Sequence, residues 1–439
     1  MTDHAAHDAP SGGPCGCDEY LRLSRRNFLA ASGVAALASA APAWLPRVAL
    51  AESHRSSQRD VIVSVYLRGA SDGLTMVVPF GDPNYYTARP SLNVAPPDAN
   101  VDPSLKATSL DGFFGLPAAM LPLLPAYQSG QLLFVHATGS HDPSRSHFDA
   151  QRFMEVGKAQ DPTLGTGWLG RHLASVTPMS PNAILRAVGI STGLMRTLVG
   201  APDTLPIPNL DTFDIAGSST TLASRRAALQ DLYGPVADPV HAAAMTTLQT
   251  IDLLNTINFA GYAPSGGAVY PTGNFGTAFK STAALLKAQI GVEAVAIDLG
   301  GWDTHANQGI FTGTMAGLMS QLAQALAAFH ADMNNGPVQP SHIVTVLSEF
   351  GRRVAQNGSA GTDHGHGNAA LIMGNAVTGG RVLANWPGLG PGQLYQGLDL
   401  AVTIDYRDVL AEIVQERLGG TDLSYIFPGH TPAFQGVVS

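Results

Sequence analysis

Short apolar runs rich in β-branched residues recur along the chain, and they constrain the fold more than any other feature. The first run covers residues 60–68 and stops at Gly69. A run that is apolar at nearly every position is typical of a parallel strand buried on both faces. Further strands are predicted at residues 131–138, 183–190, 292–299, 343–347 and 370–373.

Helical patterns separate these predicted strands. The longest pattern covers residues 312–333, where apolar side chains recur at spacings of three and four. Strands that alternate with helices predict an α/β fold with a mostly parallel central sheet and helices on both faces. Residues 200–290 are rich in Ala, Thr and Ser and contain no strand-like run, so they predict a helical, cap-like insertion.

Residues 1–51 have the pattern of a twin-arginine signal peptide. Arg25 and Arg26 stand in a Ser-Arg-Arg-Asn-Phe-Leu motif before a mild apolar stretch, and small residues near Ala51 offer a cleavage site. Pro42 and Pro46 interrupt the apolar stretch, which disfavours a membrane anchor. We therefore expect a periplasmic or secreted protein, residues 52–439, that meets the twin-arginine translocase during export and has no stable membrane span.

The composition of the mature chain excludes several classes of protein. Both cysteines, Cys15 and Cys17, belong to the leader, so disulfides, zinc–thiolate sites and cysteine nucleophiles are excluded together. The net charge is −9, and the chain has few lysines, whereas nucleic-acid binding needs a basic patch. A hydrophobic fraction of 45% also excludes a disordered chain.

Carboxylates and imidazoles follow several of the predicted strands. In open α/β sheets, ligands bind beyond the carboxyl ends of the strands, and divalent metals such as Zn, Mn, Mg or Ca take carboxylate or imidazole ligands. His147 lies beside the same loops. The predicted metal ligands are Asp72, Asp303, His305, Glu349, Asp363, His364 and His366.

The segment Asp-Pro-Ser-Arg-Ser-His at residues 142–147 contains the candidate hydroxyl nucleophiles. Ser144 and Ser146 stand between a predicted strand and a helix, where free backbone N–H groups favour an anion. Arg145 adds a planar cation that can hold phosphate or sulfate through two hydrogen bonds. An ordinary turn and helix cap explains the same segment, and that alternative stays open.

Five motifs lie at residues 68–74, 142–151, 301–305, 348–353 and 362–368. Together they resemble the twin-arginine-exported bacterial family known as domain of unknown function 1501. This family is grouped with the alkaline-phosphatase-like superfamily, which includes sulfatases, phosphomutases and phosphodiesterases. The resemblance implies a two-metal site with a serine, threonine or modified-cysteine nucleophile on a parallel α/β sheet.

The resemblance implies roles for individual metal ligands. Asp72 takes the place of the first carboxylate, and Asp303 with His305 resembles the mid-chain pair of the superfamily. Glu349 replaces a carboxylate at the end of the next strand, but Phe350 stands where a histidine is usual. The late metal histidine corresponds to His364 or His366, with Asp363 restoring the missing charge.

The nucleophile departs from the superfamily pattern. Residues 143–145 resemble part of the sulfatase motif, but His141 stands where its cysteine or serine is expected. The resemblance therefore leaves Ser144, Ser146 or no residue as the nucleophile.

These features predict an exported metal-dependent hydrolase of phosphate or sulfate esters, with a serine nucleophile on a two-metal site. Its substrate is expected to be a small-molecule or glycan ester. The alternative is a non-catalytic secreted protein that keeps the fold, with or without one metal, for binding or assembly. A metal-dependent lyase or isomerase is a third interpretation.

Overall fold

A computed structural model of the protein describes residues 59–234 and 239–439. The predicted leader, with its twin arginines and both cysteines, lies outside the described residues. Within the described ranges, every helix is too short or too polar to cross a membrane.

A mixed, nine-stranded sheet forms the centre of the described protein, and β2 and β3 pair separately. The strands are β1 (Val61–Arg68), β2 (Thr108–Ser109), β3 (Gly115–Leu116), β4 (Leu132–Gly139), β5 (Ala187–Ile190), β6 (Thr204–Pro206), β7 (Ala294–Gly300), β8 (His342–Ser348), β9 (Asn368–Gly374), β10 (Arg381–Leu383) and β11 (Ile404–Asp405). Their spatial order is β10-β4-β9-β8-β1-β7-β5-β6, with β11 beside β4. Only β9 is antiparallel to its neighbours, β4 and β8, among the pairings of this sheet.

Helices connect most of these strands. They are α1 (Gly73–Met76), α2 (Pro83–Ala88), α3 (Leu124–Gln128), α4 (His147–Val156), α5 (Trp168–Ser175), α6 (Leu222–Tyr233), α7 (Pro239–Asn255), α8 (Asn274–Lys287), α9 (Thr314–Met333), α10 (Tyr406–Glu416) and α11 (Leu423–Ile426). Short 3₁₀ turns lie at Pro103–Leu105, Ala118–Leu123, Arg196–Leu198, Leu210–Thr212 and Ser219–Thr221.

The two faces of β1 belong to two different hydrophobic cores. Val63 and Val65 point to the side covered by α8 and α9, whereas Ile62 and Tyr66 point to the side covered by α5 and α10. Successive side chains of a strand alternate between faces, so a strand buried on both sides must be apolar throughout. The predicted α/β fold, with a mostly parallel sheet and helices on both faces, is thus confirmed.

Residues 200–290, predicted as a helical insertion, contain α6, α7 and α8, which together cover about half of the segment. Two details differ from the expectation. The segment contributes the short edge strand β6, and α8 is not a peripheral element, because it is largely buried and packs in the same core as α9.

Five chain segments meet at one edge of the sheet because of the strand directions. The parallel strands β1, β4, β7 and β8 all end there. Since β9 runs the opposite way, it begins at that edge, and the loop before it joins the loops that follow the other four. This arrangement brings the predicted ligand loops together.

Candidate metal centre

His147, Asp303 and His364 form a compact group of metal-ligand type, the ligand cluster. One ligand atom from each side chain lies within 4.8 Å of the others. Nε2 of His364 is 3.1 Å from Oδ1 of Asp303, and Nε2 of His147 is 3.4 Å from Oδ2 of Asp303. The three side chains are about a fifth to a quarter exposed (19%, 27% and 22%), so the cluster can be reached from solvent.

Both histidines of the ligand cluster are oriented through their outer ring nitrogen. Nδ1 of His147 donates to Oε1 of Glu349 at 2.8 Å, and Nδ1 of His364 donates to the carbonyl oxygen of Arg145 at 2.8 Å. In the neutral form of each ring, this places the lone pair on Nε2, which faces Asp303. Metal-binding histidines are characteristically held in this way.

The state of Nε2 of His147 tests whether these side chains fit a metal ion. This atom is buried and makes no hydrogen bond to any part of the described chain. Burial alone would lower the pKa of His147, but the neighbouring carboxylates of Asp303 and Glu349 raise it to about 9. The surrounding carboxylates therefore favour positive charge at this ring, and a divalent cation satisfies the same preference. Two imidazoles and one carboxylate suit zinc or a similar transition metal.

Asp303 stays ionised although it is partly buried. Burial would raise its pKa, but the neighbouring His147, His364 and Arg352 hold the pKa well below the usual range. The closest of these donors is Nη2 of Arg352, 2.8 Å from Oδ1. A carboxylate kept charged at low pH is a competent ligand for a cation.

Arg352 forms hydrogen bonds with three loops beneath the ligand cluster. Its buried guanidinium donates to the carbonyl oxygens of Ala70 at 2.7 Å, Trp302 at 2.9 Å and Thr362 at 3.0 Å. These residues belong to the loops after β1, after β7 and before β9. Sequence reasoning included Arg352 in a motif but gave it no role, because nothing in the sequence shows that this arginine is buried.

His305 and Asp363, both predicted as metal ligands, lie at the border of the ligand cluster. Nε2 of His305 lies 2.9 Å from Nε2 of His364 and 3.0 Å from Oδ1 of Asp303. Its Nδ1 is 3.5 Å from Oδ1 of Asp363. Burial lowers the pKa of His305, and both side chains are 43% exposed. An imidazole at this border is placed to exchange a proton with a bound molecule.

The sequence predicts both Glu349 and Asp72 as metal ligands. In the structure, their carboxylate oxygens accept hydrogen bonds from other protein groups. Oε1 of Glu349 accepts from His147, from Gln151 at 2.9 Å and from the backbone N–H of Gly69 at 2.8 Å. Glu349 therefore supports a ligand from behind. Asp72 lies outside the ligand cluster, in a buried ion pair that is described next.

Arg89 encloses the carboxylate of Asp72. Its Nη1 is 2.6 Å from Oδ2 and its Nη2 is 3.0 Å from Oδ1. Thr75 and Gln308 each donate to Oδ2 at 2.7 Å. With four donors on two oxygens, Asp72 serves as a structural anchor for the start of α1.

His366 also lies outside the ligand cluster. Its ring stacks on Tyr395 with centroids 4.1 Å apart. Burial lowers the pKa of His366 to about 4. The structure thus joins Asp303 and His364 of the predicted ligands to His147, with His305, Asp363 and Glu349 around them, and leaves Asp72 and His366 apart.

The predicted nucleophile segment lines the site, but Arg145 is directed elsewhere. Its guanidinium pairs with buried Asp399, at 3.1 Å from Nε to Oδ2, and with Gln396 at 2.9 Å. The hydroxyl of Ser144 accepts from the backbone N–H of Ser146 at 3.1 Å. Ser146 directly precedes α4, and its side chain makes no capping hydrogen bond.

Close backbone contacts between the loops depend on glycine. Gly69 has a φ of +110°, and a Cβ there would lie 2.7 Å from the backbone nitrogen of Asp303. A Cβ on Gly365 would lie 2.4 Å from the carbonyl carbon of Arg352. Both loops could not approach so closely with larger residues.

Comparisons with known proteins agree with the motifs. The model of a family described as "Protein of unknown function (DUF1501)" matches residues 59–424. A solved structure of a protein in the alkaline phosphatase superfamily from Vibrio parahaemolyticus is 11% identical in sequence. The alignment covers 81% of this chain and 70% of that one, with a TM-score of 0.31. No curated protein matches the chain.

Proposed function

The chain belongs to the DUF1501 family, as its motifs predict, and since the family description assigns no activity, we propose one from the site: metal-dependent hydrolysis of phosphate or sulfate esters at the ligand cluster. The observation that carries the proposal is the convergence of two imidazoles and a carboxylate, with both histidines already oriented by outer hydrogen bonds. The fit of these donors to a divalent cation supports metal-assisted chemistry.

The proposed mechanism divides the work among residues of this chain. A divalent ion held by His147, Asp303 and His364 would supply Lewis-acid stabilisation of the negative charge on ester oxygens. Glu349 and the carbonyl oxygen of Arg145 keep the two rings aimed at one point. The described residues hold one ligand cluster of this kind, so the proposal needs one ion rather than the two expected from the sequence.

Proton transfer and nucleophilic attack fall to residues at the border. His305, half-exposed and backed by Asp363, would carry a proton to the leaving oxygen. Ser146 or Ser144 would give its hydroxyl proton to His305 and attack phosphorus or sulfur, while the ester O–P or O–S bond breaks and the leaving oxygen takes the proton from His305. A water molecule would later break the bond between the serine oxygen and phosphorus or sulfur, and the serine would regain a proton. Ser146 is the better placed of the two in the chain, since it is adjacent to His147.

A non-catalytic binding protein is the second candidate, and one observation favours it. The guanidinium of Arg145, expected to stabilise charge on the ester, is ion-paired with Asp399. A protein that only binds a metal would not need a free cation at that position.

Metal analysis of the purified protein tests the centre. We expect about one divalent ion per chain in the wild type and its loss in Asp303→Asn. The matched control is Asp298→Asn, which lies on β7, is 29% exposed against 27% for Asp303, and is likewise paired with an arginine. Equal metal content in the wild type and Asp303→Asn would overturn the proposed centre.

An activity assay then separates the two candidates. The metal-loaded protein is tested on a phosphomonoester, a phosphodiester and a sulfate ester of p-nitrophenol. Hydrolysis that disappears in Ser146→Ala or Ser144→Ala identifies the nucleophile. Bound metal without hydrolysis of any of the three esters favours the binding protein.

We also propose export by the twin-arginine pathway, which the motif around Arg25 and Arg26 supports. A double substitution of Arg25→Lys and Arg26→Lys in the full chain is expected to leave the protein in the cytoplasm. Unchanged export of that variant in cell fractionation contradicts the proposal.

A further inference from the structure

Arg353 has a rigid backbone next to the ligand cluster. Its backbone N–H donates to the carbonyl oxygen of Asp363 at 2.9 Å, and its own carbonyl oxygen accepts from Arg89 at 2.9 Å. It also forms an isolated β-bridge with Asp399. The position of its Cα is therefore fixed from both sides.

The side chain of Arg353 contrasts with that of its neighbour. Arg352 donates to four carbonyl oxygens and one carboxylate. Arg353 has only a loose ion pair within the described ranges, with Nη1 3.6 Å from Oδ2 of Asp363. Its Nε is buried without a hydrogen-bond partner, although the side chain as a whole is 38% exposed. A guanidinium carries five N–H donors, and because Nε is closed to a dissolved anion, the capacity for an acceptor lies with Nη1 and Nη2.

Short steps connect Arg353 with the ligand cluster. Asp363, which faces Arg353, lies 3.5 Å from Nδ1 of His305, and Nε2 of His305 lies 3.0 Å from Asp303. Asp363 also directly precedes His364 in the chain. An anion bound at Arg353 would therefore lie beside the loop that carries Asp363 and His364.

We propose that Arg353, rather than Arg145, binds the anionic group of the substrate. This inference rests on the proposed function and narrows the substrate class to esters that keep free anionic oxygens, which are phosphate and sulfate monoesters and phosphodiesters. The planar fork of arginine matches two oxygens of a tetrahedral anion. A fixed backbone with an unsatisfied guanidinium is the arrangement that such binding needs, because little order is lost when the anion arrives.

Calorimetric titration with inorganic phosphate and inorganic sulfate tests the proposal on the metal-loaded protein. We expect Arg353→Gln to weaken the affinity roughly 10- to 100-fold, the usual loss for charge-assisted hydrogen bonds. Arg353→Lys keeps the charge but loses the fork, so it should retain only part of the affinity. Arg381→Gln is the control, since β10 runs parallel to β4 and begins with Arg381 at the opposite edge of the sheet.

The outcomes separate this inference from the proposed function. Wild-type protein that binds neither anion, or Arg353→Gln that binds both as the wild type does, overturns the role of Arg353. Metal retained by Asp303→Asn overturns the proposed centre, independently of how the Arg353 variants bind the two anions. Thermal unfolding of Arg353→Gln checks that it is folded, and Arg353→Lys gives the decisive comparison if it is not.

Discussion

At the scale of single residues, the site depends on side chains that do not themselves face the bound molecule. Glu349 is fully buried and accepts from His147, Gln151 and a backbone N–H. It fixes which nitrogen of His147 is available. Partners of this kind typically change metal affinity 10- to 100-fold when they are removed.

Substitution of Glu349→Gln is expected to weaken metal affinity by that factor, because the new amide places a donor where His147 now finds an acceptor. Metal titration measures the change. Glu293→Gln is the matched control, since Glu293 is equally buried but pairs with Arg186 at 2.6 Å at the start of β7. Equal losses of metal affinity in both variants would show a general effect on folding.

A second residue-scale prediction concerns His136 on β4. Burial lowers its pKa to about 4, from 6.5 in an exposed chain. Below pH 6.5, the unfolded chain takes up a proton that the folded ring does not. The free energy of unfolding should therefore fall as the pH drops from 6.5 towards 4, by up to about 3 kcal/mol from this group.

Urea unfolding between pH 7 and pH 4 measures this effect. The His136→Gln variant should show a shallower loss of stability over that window, because glutamine does not titrate. The same slope in the variant and the wild type would exclude His136 as a source of the acid sensitivity.

The sequence predicts the ligand types better than their partners. Asp72 and Asp303 both follow a buried strand, and the residues around them do not show which carboxylate an arginine encloses on both oxygens. The difference comes from Arg89, which folds back over Asp72 after α2. His147 lies beside the predicted ligand loops in the sequence but is not among the predicted ligands. Its ring reaches the ligand cluster only because α4 lies against the end of β8 in the folded protein.

At the scale of elements, the loops after the strands approach each other closely, and Gly69 makes the contact between β1 and β7 feasible. We expect Gly69→Ala to destabilise the fold by about 2–4 kcal/mol, through strain at positive φ and a clash with the backbone of Asp303. Gly112→Ala is the control, because Gly112 also has positive φ, at +90°, but a Cβ there meets open space.

Chemical denaturation of the two variants distinguishes these causes. A loss of about 1 kcal/mol in Gly112→Ala gives the cost of backbone conformation alone. If Gly69→Ala loses no more than that, the close approach of the two loops has no energetic importance.

The sequence does not predict that β9 runs antiparallel to its neighbours. A short strand that is buried on both faces reads the same whether its neighbours are parallel or antiparallel. The periodicity of α9 and the apolar runs of β1 and β8 did predict their elements closely, because both signals come from burial that is local to each element.

At the scale of the whole molecule, stability should come from the two cores on either side of the sheet. Leu326 of α9 is fully buried, whereas α6 has no buried residue and its Leu232 is 62% exposed. We expect Leu326→Ala to cost about 2–5 kcal/mol and Leu232→Ala to change stability by no more than about 0.5 kcal/mol. Urea unfolding of both variants provides the measurement, and equal losses would contradict the division between core and cap.

The ligand cluster draws on chain segments that are far apart, since His147, Asp303 and His364 follow β4, follow β7 and precede β9. During synthesis, the nascent chain therefore lacks the centre until most of the protein has left the ribosome. An ion that binds only the finished arrangement stabilises the folded state and no shorter intermediate. Metal occupancy would thus report that the chain has been made at least as far as His364 and that its three ligand loops have come together.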